Sequence, residues 1–313
     1  MIYLMIVLIL LLLFLAFTYF SFRMAFYSPQ GDQNDDHALN FSDLTPEMKT
    51  GILASIDRLL AVPYEKVSIQ SDDGLTLNGR YYPSSRTDVP FIMLLHGYRG
   101  TPVRDLSYAA NRYLAQGYPV LMMEERAHIS SEGHVITMGV REQYDCLAWT
   151  KYVSDLVGKD RPILLCGDSM GAATVLLASS LDLPTNVIGI VADAPYSSAE
   201  AILKHFCTKH YHSAALYPFL KFGARLYGHF RVEDADVIAH VKQAKVPLLI
   251  IHGEKDLIVP FEMGVELAKA NPQMTEFHAF PNAGHVMSFV VDEPRYLKIT
   301  EAFEAKVRSL SGL

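Results

Sequence analysis

Strands and helices alternate along this chain from Phe91 to its end, which predicts an α/β protein with a mostly parallel central sheet covered by helices on both faces. Two further observations complete the outline. An antiparallel hairpin precedes the alternation, and an uncharged apolar segment precedes the hairpin. No linker cuts the alternation and no repeat recurs, so a single domain carries it.

Half of the 313 residues are hydrophobic and 19% are charged. A chain this apolar buries enough surface to offset its ordering entropy, which excludes a disordered protein. The formal charge of -7, with no basic run, leaves nucleic acid without its usual phosphate-neutralising surface. Cys146, Cys166 and Cys207 are too scattered for a disulfide framework or a structural zinc site. Cys146 and Cys166 read as buried small hydrophobes.

The first element is apolar throughout. Met1 to Phe22 has no charged side chain, and as a helix it reaches roughly 33 Å against a hydrocarbon core of about 30 Å. This predicts a transmembrane anchor over residues 1–23. A cleaved signal peptide would want Lys or Arg ahead of a shorter apolar core and a small-x-small cleavage site, none of them evident. A soluble amphipathic helix would keep a polar stripe, and every face here is apolar. Arg23 is the one basic side chain close by, so the positive-inside rule leans weakly towards a cytoplasmic body. Asp32, Asp35 and Asp36 carry little orienting weight, and the sequon Asn40-Phe41-Ser42 decides nothing.

A connector, residues 24–62, leads to the main domain, residues 63–313. Val67 to Tyr82 reads as a hairpin around Asp73-Gly74. Phe91 to Leu95 is a buried strand feeding a loop, and Arg104 to Gln116 a helix stopped by Gly117. Pro119 to Met123 is a strand, Val140 to Val157 a helix, Pro162 to Cys166 a strand and Met170 to Ser180 a helix. Val187 to Val191, Pro247 to Ile251 and Glu276 to Phe280 are strands. Phe261 to Ala270 and Pro294 to Leu310 are the remaining helices. The alternation breaks at about 195–245, a helical and aromatic-rich stretch placed as a lid insertion on the ligand side of an open sheet. Its Phe and Tyr residues either line an apolar pocket or pack the lid on the body.

Gly167-Asp168-Ser169-Met170-Gly171 fits G-x-S-x-G between an apolar strand and a helix-forming run. Such a turn holds the serine in a strained conformation with its hydroxyl exposed, and the flanking glycines avoid collisions. The helix after Ser169 aims backbone N–H groups at the reacting centre. A serine hydroxyl needs a base within hydrogen-bond reach. His285 sits in a small-residue loop after one strand, and Asp256 in a loop after another, giving the order Ser169, Asp256, His285. Glu254 is the rival acid. Asp168 points away from the chemistry, Asp193 reads as loop-forming and His96 as loop-shaping. His205, Cys207, His210 and His212 in the lid read as a polar face rather than a metal site. No phosphate-binding glycine loop is present.

From Val67 to Leu310 the chain resembles the α/β-hydrolase superfamily. The resemblance rests on the serine elbow, His96-Gly97-Tyr98, Glu125-Arg126-Ala127-His128 with Ser131-Glu132-Gly133, and His252-Gly253 with Asp256 and Val259-Pro260. Within it, the chain looks most similar to membrane-anchored bacterial hydrolases related to prolyl-oligopeptidase-like and bile-acid acyltransferase-like domains. Ala127 and Ile129 stand where that family usually has glycines. The resemblance implies an α/β-hydrolase fold, Ser169 as nucleophile, His285 as base and Asp256 as its orienting acid. It also implies an oxyanion hole from the N–H groups of Tyr98 and Met170, with no cofactor or metal. The function expected is a serine hydrolase working at a membrane on an acyl or lipid-like ester. A peptidase, an acyl transferase and a catalytically silent binding protein on the same fold are the alternatives.

Overall fold

Eight strands form one sheet in the computed structural model, which describes residues 1–29, 36–39 and 44–312, without the side chains of residues 210 and 211. Asp32, Asp35 and the sequon Asn40-Phe41-Ser42 lie outside the described residues. The strands are β1 (Glu65–Gln70), β2 (Thr76–Tyr82), β3 (Phe91–Leu95), β4 (Val120–Met123), β5 (Ile163–Asp168), β6 (Val187–Asp193), β7 (Leu248–Gly253) and β8 (Thr275–Phe280). Their order is β1-β2-β4-β3-β5-β6-β7-β8. The β1–β2 and β2–β4 pairings are antiparallel and the rest parallel, as expected of a hairpin followed by crossover units.

The pleat divides the core in two. Phe91, Met93 and Leu95 of β3 face one side with Leu121, Met123, Ile163 and Leu165. Helices α4 (Glu142–Val157) and α5 (Met170–Ala178) cover that side through Trp149, Val153 and Leu176. Ile92 and Leu94 face the other side with Val120, Met122 and Leu164. The stretch read as a connector contributes there. Helix α2 (Pro46–Leu60) is capped by Thr45, starts with proline and buries Ile52, Ile56 and Leu59. It packs beside α3 (Pro102–Ala115) and shares its core with α11 (Glu293–Ser311). Residues 46–60 are therefore structural. The cap, the proline and the i, i+4, i+7 stripe were the available signals.

The remaining helices are α1 (Ile2–Ala25), α6 (Ala199–Tyr211), α7 (Tyr217–Tyr227), α8 (Val237–Val241), α9 (Phe261–Ala270) and α10 (Ser288–Val291). Helices α6 to α8 make the expected insertion between β6 and β7. By length and composition α1 is apolar enough to cross a membrane, with a mean hydropathy of 2.8. Its second half is docked. Phe14 and Phe17 meet Phe219, and Tyr19 and Phe22 meet Tyr227 of α7. A Cβ at Gly223 would stand 2.9 Å from the Thr18 carbonyl oxygen and 3.0 Å from Phe22 Cβ, so only glycine lets the two helices approach this closely. Residues up to Leu13 project bare.

Candidate active site

The elbow forms where β5 turns into α5. Ser169 has φ 56°, in the left-handed region that L-residues avoid, and its main-chain N–H is held by the Asp193 carbonyl at 2.8 Å. A Cβ at Gly171 would meet the Leu95 carbonyl oxygen at 2.4 Å, and one at Gly167 would meet the Gly171 carbonyl oxygen at 2.4 Å. The glycines are there because backbone passes within reach of where their side chains would be.

Three loops converge on the serine hydroxyl. His285 Nε2 lies 2.9 Å from Ser169 Oγ, and His285 Nδ1 lies 2.7 Å from Asp256 Oδ2. Asp256 is itself fixed, its Oδ1 accepting the N–H groups of Ile258 and Val259 at 2.8 Å each. Burial works to raise the Asp256 carboxyl. The hydrogen bonds from His252 and His285 outweigh it and hold the group well below the usual carboxylate range. Asp256 is therefore ionised and can orient an imidazole and stabilise its protonated form. Glu254 points to solvent and takes no part.

The loop after β3 lies against the elbow, where a Cβ at Gly97 would be 3.4 Å from Ser169 Cβ. Gly97 N–H donates to Asp105 Oδ2 at 3.1 Å, Gly100 N–H to the Gly97 carbonyl at 3.0 Å, and Arg99 N–H to His128 Nε2 at 3.0 Å. Between these braces, the Tyr98 N–H has no acceptor among the described residues. Met170 opens α5, so its N–H also lacks an intrahelical partner. Two free main-chain donors thus flank the serine.

The segment after β4 explains its own motif. Arg126, 2% exposed, donates to Asp145 of α4 at 2.6 Å twice and to Asp73 of the hairpin turn at 2.8 and 3.1 Å. Its hydrogen bonds bring the Asp73 carboxyl down to about 2. Ala127 (φ 62°) and Ile129 (φ 48°) adopt left-handed backbone. The loop therefore keeps a glycine-like path without glycine, at a cost of about 1 kcal/mol or more per residue.

One residue behaves differently from what its sequence predicts. Asp193 is no loop residue: it closes β6, pairs in register with Asp168 and is buried. Asp168 and Asp193 lie behind the elbow, where burial raises both carboxyl groups, with repulsion from Asp193 adding at Asp168 and from Asp256 at Asp193. His96 does shape the loop. Its Nδ1 donates to the Gly97 carbonyl at 2.9 Å and its Nε2 accepts the Glu125 N–H at 3.1 Å.

His96, Glu125 and His128 form one buried group with metal-ligating atoms within 4.8 Å of one another. Both imidazoles are fully engaged. His128 Nδ1 donates to the Arg126 carbonyl at 2.9 Å while its Nε2 accepts from Arg99, so neither ring offers a lone pair to a cation. The lid residues His205, Cys207 and His212 form no such group among the described residues. Cys207 is buried while His212 is exposed, and the His210 side chain lies outside the description.

The engaged imidazoles predict an acid dependence of stability. Burial lowers His96 to about 4 and His128 to about 3, the latter helped by the neighbouring His96. Below pH 6.5 the unfolded chain takes protons that the folded one refuses, so each histidine removes about 1.4 kcal/mol of stability per pH unit lost, down to its folded value. Raised acids such as Glu125 and Asp193 act in the opposite sense, which makes a difference measurement the right one. In urea titrations from pH 7 to 4, His128→Gln, although less stable at pH 7, should lose stability less steeply than the wild type. Parallel pH profiles would refute the assignment.

The serine and histidine open into a cavity of about 1070 Å³. Its walls are mostly apolar: Tyr196, Ile202, Leu203, Phe206 and Leu220 from the lid side, and Met138, Ile258 and Val286 from the body. Facing them is a wall that the sequence reading did not anticipate. Phe17, Phe20, Ser21, Met24 and Ala25 of α1 line the same cavity.

An open parallel sheet, a serine elbow at the carboxyl end of a central strand and a helical insertion over it define a hydrolase of the α/β-hydrolase superfamily. Residues 136–307, more than half of the chain, match the prolyl oligopeptidase family, and the protein belongs to that family. Among curated proteins it is similar to uncharacterized protein YqkD of Bacillus subtilis, 26% identical over 240 residues, covering 75% of this chain and 77% of that one. It is 25% identical over 214 residues to the lysophosphatidylserine lipase ABHD12 of Danio rerio, covering 67% of this chain and 53% of the lipase. The chain thus matches about half the length of that lipase. The solved esterase Pf2001 of Pyrococcus furiosus shares its fold, with a TM-score of 0.63 at 23% identity over 80% of this chain and 92% of that one.

Proposed function

We propose that the protein is a serine hydrolase that cleaves acyl esters at a membrane through an acyl-enzyme. The observation that carries this reading is the hydrogen-bonded series Asp256, His285, Ser169 ending in an apolar cavity. In this mechanism His285 Nε2 takes the Ser169 proton as Oγ attacks the acyl carbonyl. The oxyanion accepts hydrogen bonds from the Tyr98 and Met170 N–H groups. His285 then protonates the departing alcohol, and water, deprotonated by the same imidazole, releases the acid and restores Ser169. Residues 1–23 serve as the membrane anchor, with the lid at about 195–245 over the cavity.

The lipase relative favours an ester, and the apolar walls of the cavity favour an apolar acyl part. Family membership favours a second reading, cleavage of a peptide bond by the same groups. A fluorophosphonate probe should label the wild type at Ser169. On p-nitrophenyl esters of graded length set beside aminoacyl amides, the esters should turn over and the longer chains should be preferred. Turnover of the amides alone would replace the ester reading with the peptidase. A wild type that neither labels nor turns over would leave a binding protein on this fold.

A further inference from the structure

We infer that α1 is an acyl-binding element of the active site as well as a tether, and that its cavity face sets the length of chain accepted. This rests on Ser169 being the nucleophile. The face is defined by helical spacing. Phe17, Phe20, Ser21 and Met24 are i, i+3, i+4 and i+7, one stripe of α1, and all four line the cavity that holds Ser169 and His285.

The helix is rigid where this stripe lies. Its neighbouring stripe, Phe14, Thr18 and Phe22, is seated on α7 at Phe222 and Gly223, and Thr18 and Phe22 are buried. Its carboxyl end is clamped by the oxyanion loop itself. Tyr98 Oη donates to the Ala25 carbonyl at 2.7 Å, and Arg99 Nη2 donates to the carbonyls of Met24 at 2.8 Å and Tyr27 at 3.1 Å. The Tyr98 phenol is pushed up by burial and stays protonated as that donor. One residue thus offers its N–H towards the reacting carbonyl and its hydroxyl to α1, which ties the wall to the reaction centre.

The occupant is a flexible alkyl chain. A purely anchoring helix has no reason to turn half-exposed Phe17 and Met24 towards a reacting serine. The stripe carries no charge, and the facing lid residues Leu203, Phe206 and Leu220 are apolar too. The cavity, at about 1070 Å³, exceeds the usual range for compact small-molecule sites and suits an extended tail. The substrate class is therefore an ester of a long-chain acyl group.

The test uses the full-length chain in detergent and reads the ratio of kcat/KM for a twelve-carbon to a four-carbon p-nitrophenyl ester. Ser21→Trp fills the cavity from α1, and at about fourfold per excluded methylene it should lower the ratio at least tenfold. Phe20→Ala removes an exposed ring without touching the core and should shift the preferred length upward. Leu8→Trp, on the bare part of α1, should leave the ratio where it is. Ratios unmoved by Ser21→Trp and Phe20→Ala, or moved equally by Leu8→Trp, overturn the inference. Failure of the wild type to label with fluorophosphonate would instead remove the hydrolase reading beneath it.

Discussion

Ser169→Ala should lower kcat/KM for any turned-over ester by about 10⁶, or about 8 kcal/mol of barrier, and abolish fluorophosphonate labelling. Among the described residues the hydroxyl is the one group within hydrogen-bond distance of His285 Nε2, so no neighbouring side chain described is placed to replace it. Asp256→Asn should cost about 10⁴ with the fold intact. The amide keeps the volume and can still accept from Ile258 and Val259, but it removes the charge that orients His285 and stabilises its protonated form. Glu254→Gln, on the exposed side of the same loop, should change little. Steady-state rates with one ester settle all three. A tenfold or smaller loss in Ser169→Ala would remove the nucleophile assignment.

Gly171→Ala should destabilise the protein by about 3 kcal/mol or more, read as a lower urea midpoint at unchanged slope. The added methyl would stand 2.4 Å from the Leu95 carbonyl oxygen and 2.6 Å from that of His96. Leu95 ends β3, which is paired on each side, and His96 follows it directly, so the two carbonyls have little room to retreat. Gly51→Ala is the informative contrast. There the new methyl meets only the Tyr108 hydroxyl at 2.9 Å, the mobile end of a side chain, and a helix position gains about 1 kcal/mol of propensity. Its net effect should stay within about 1 kcal/mol. Equal losses in the two variants would mean that the elbow is softer than its contacts imply.

The elements most legible in the sequence were those whose pattern has a local cause. Phe91 to Leu95 reads as a buried strand because both faces are apolar, and the structure places its alternate residues in the two half-cores. Asp73-Gly74 marks the hairpin because Gly74 takes φ 85°. The elbow was readable because glycines two positions either side of a serine have a steric reason to exist, and chain order then pointed to Asp256 and His285. Helix α2 was hidden by the polar stretch before it, although its cap and stripe were present. The cavity face of α1 had no signature. In a segment apolar on all sides, a stripe that lines a cavity is chemically identical to one that faces lipid. Only the seating of Gly223 and the clamps from Tyr98 and Arg99 tell them apart.

If α1 is the proposed anchor, its docking also bears on how the protein would ride on a bilayer. Residues 2–13 of α1 stand clear of the described body, a length of about 18 Å, and the rest of the helix lies against it. A span that uses α1 would therefore take in turns that are docked on α7, and would hold the globule against the bilayer. In that arrangement α7 would face the head groups, with its bare Phe222 and Leu226 leading. The α1 wall of the cavity, Phe17, Phe20 and Met24, would then lie close to the bilayer surface, and a substrate dissolved in that leaflet would have a short path to it.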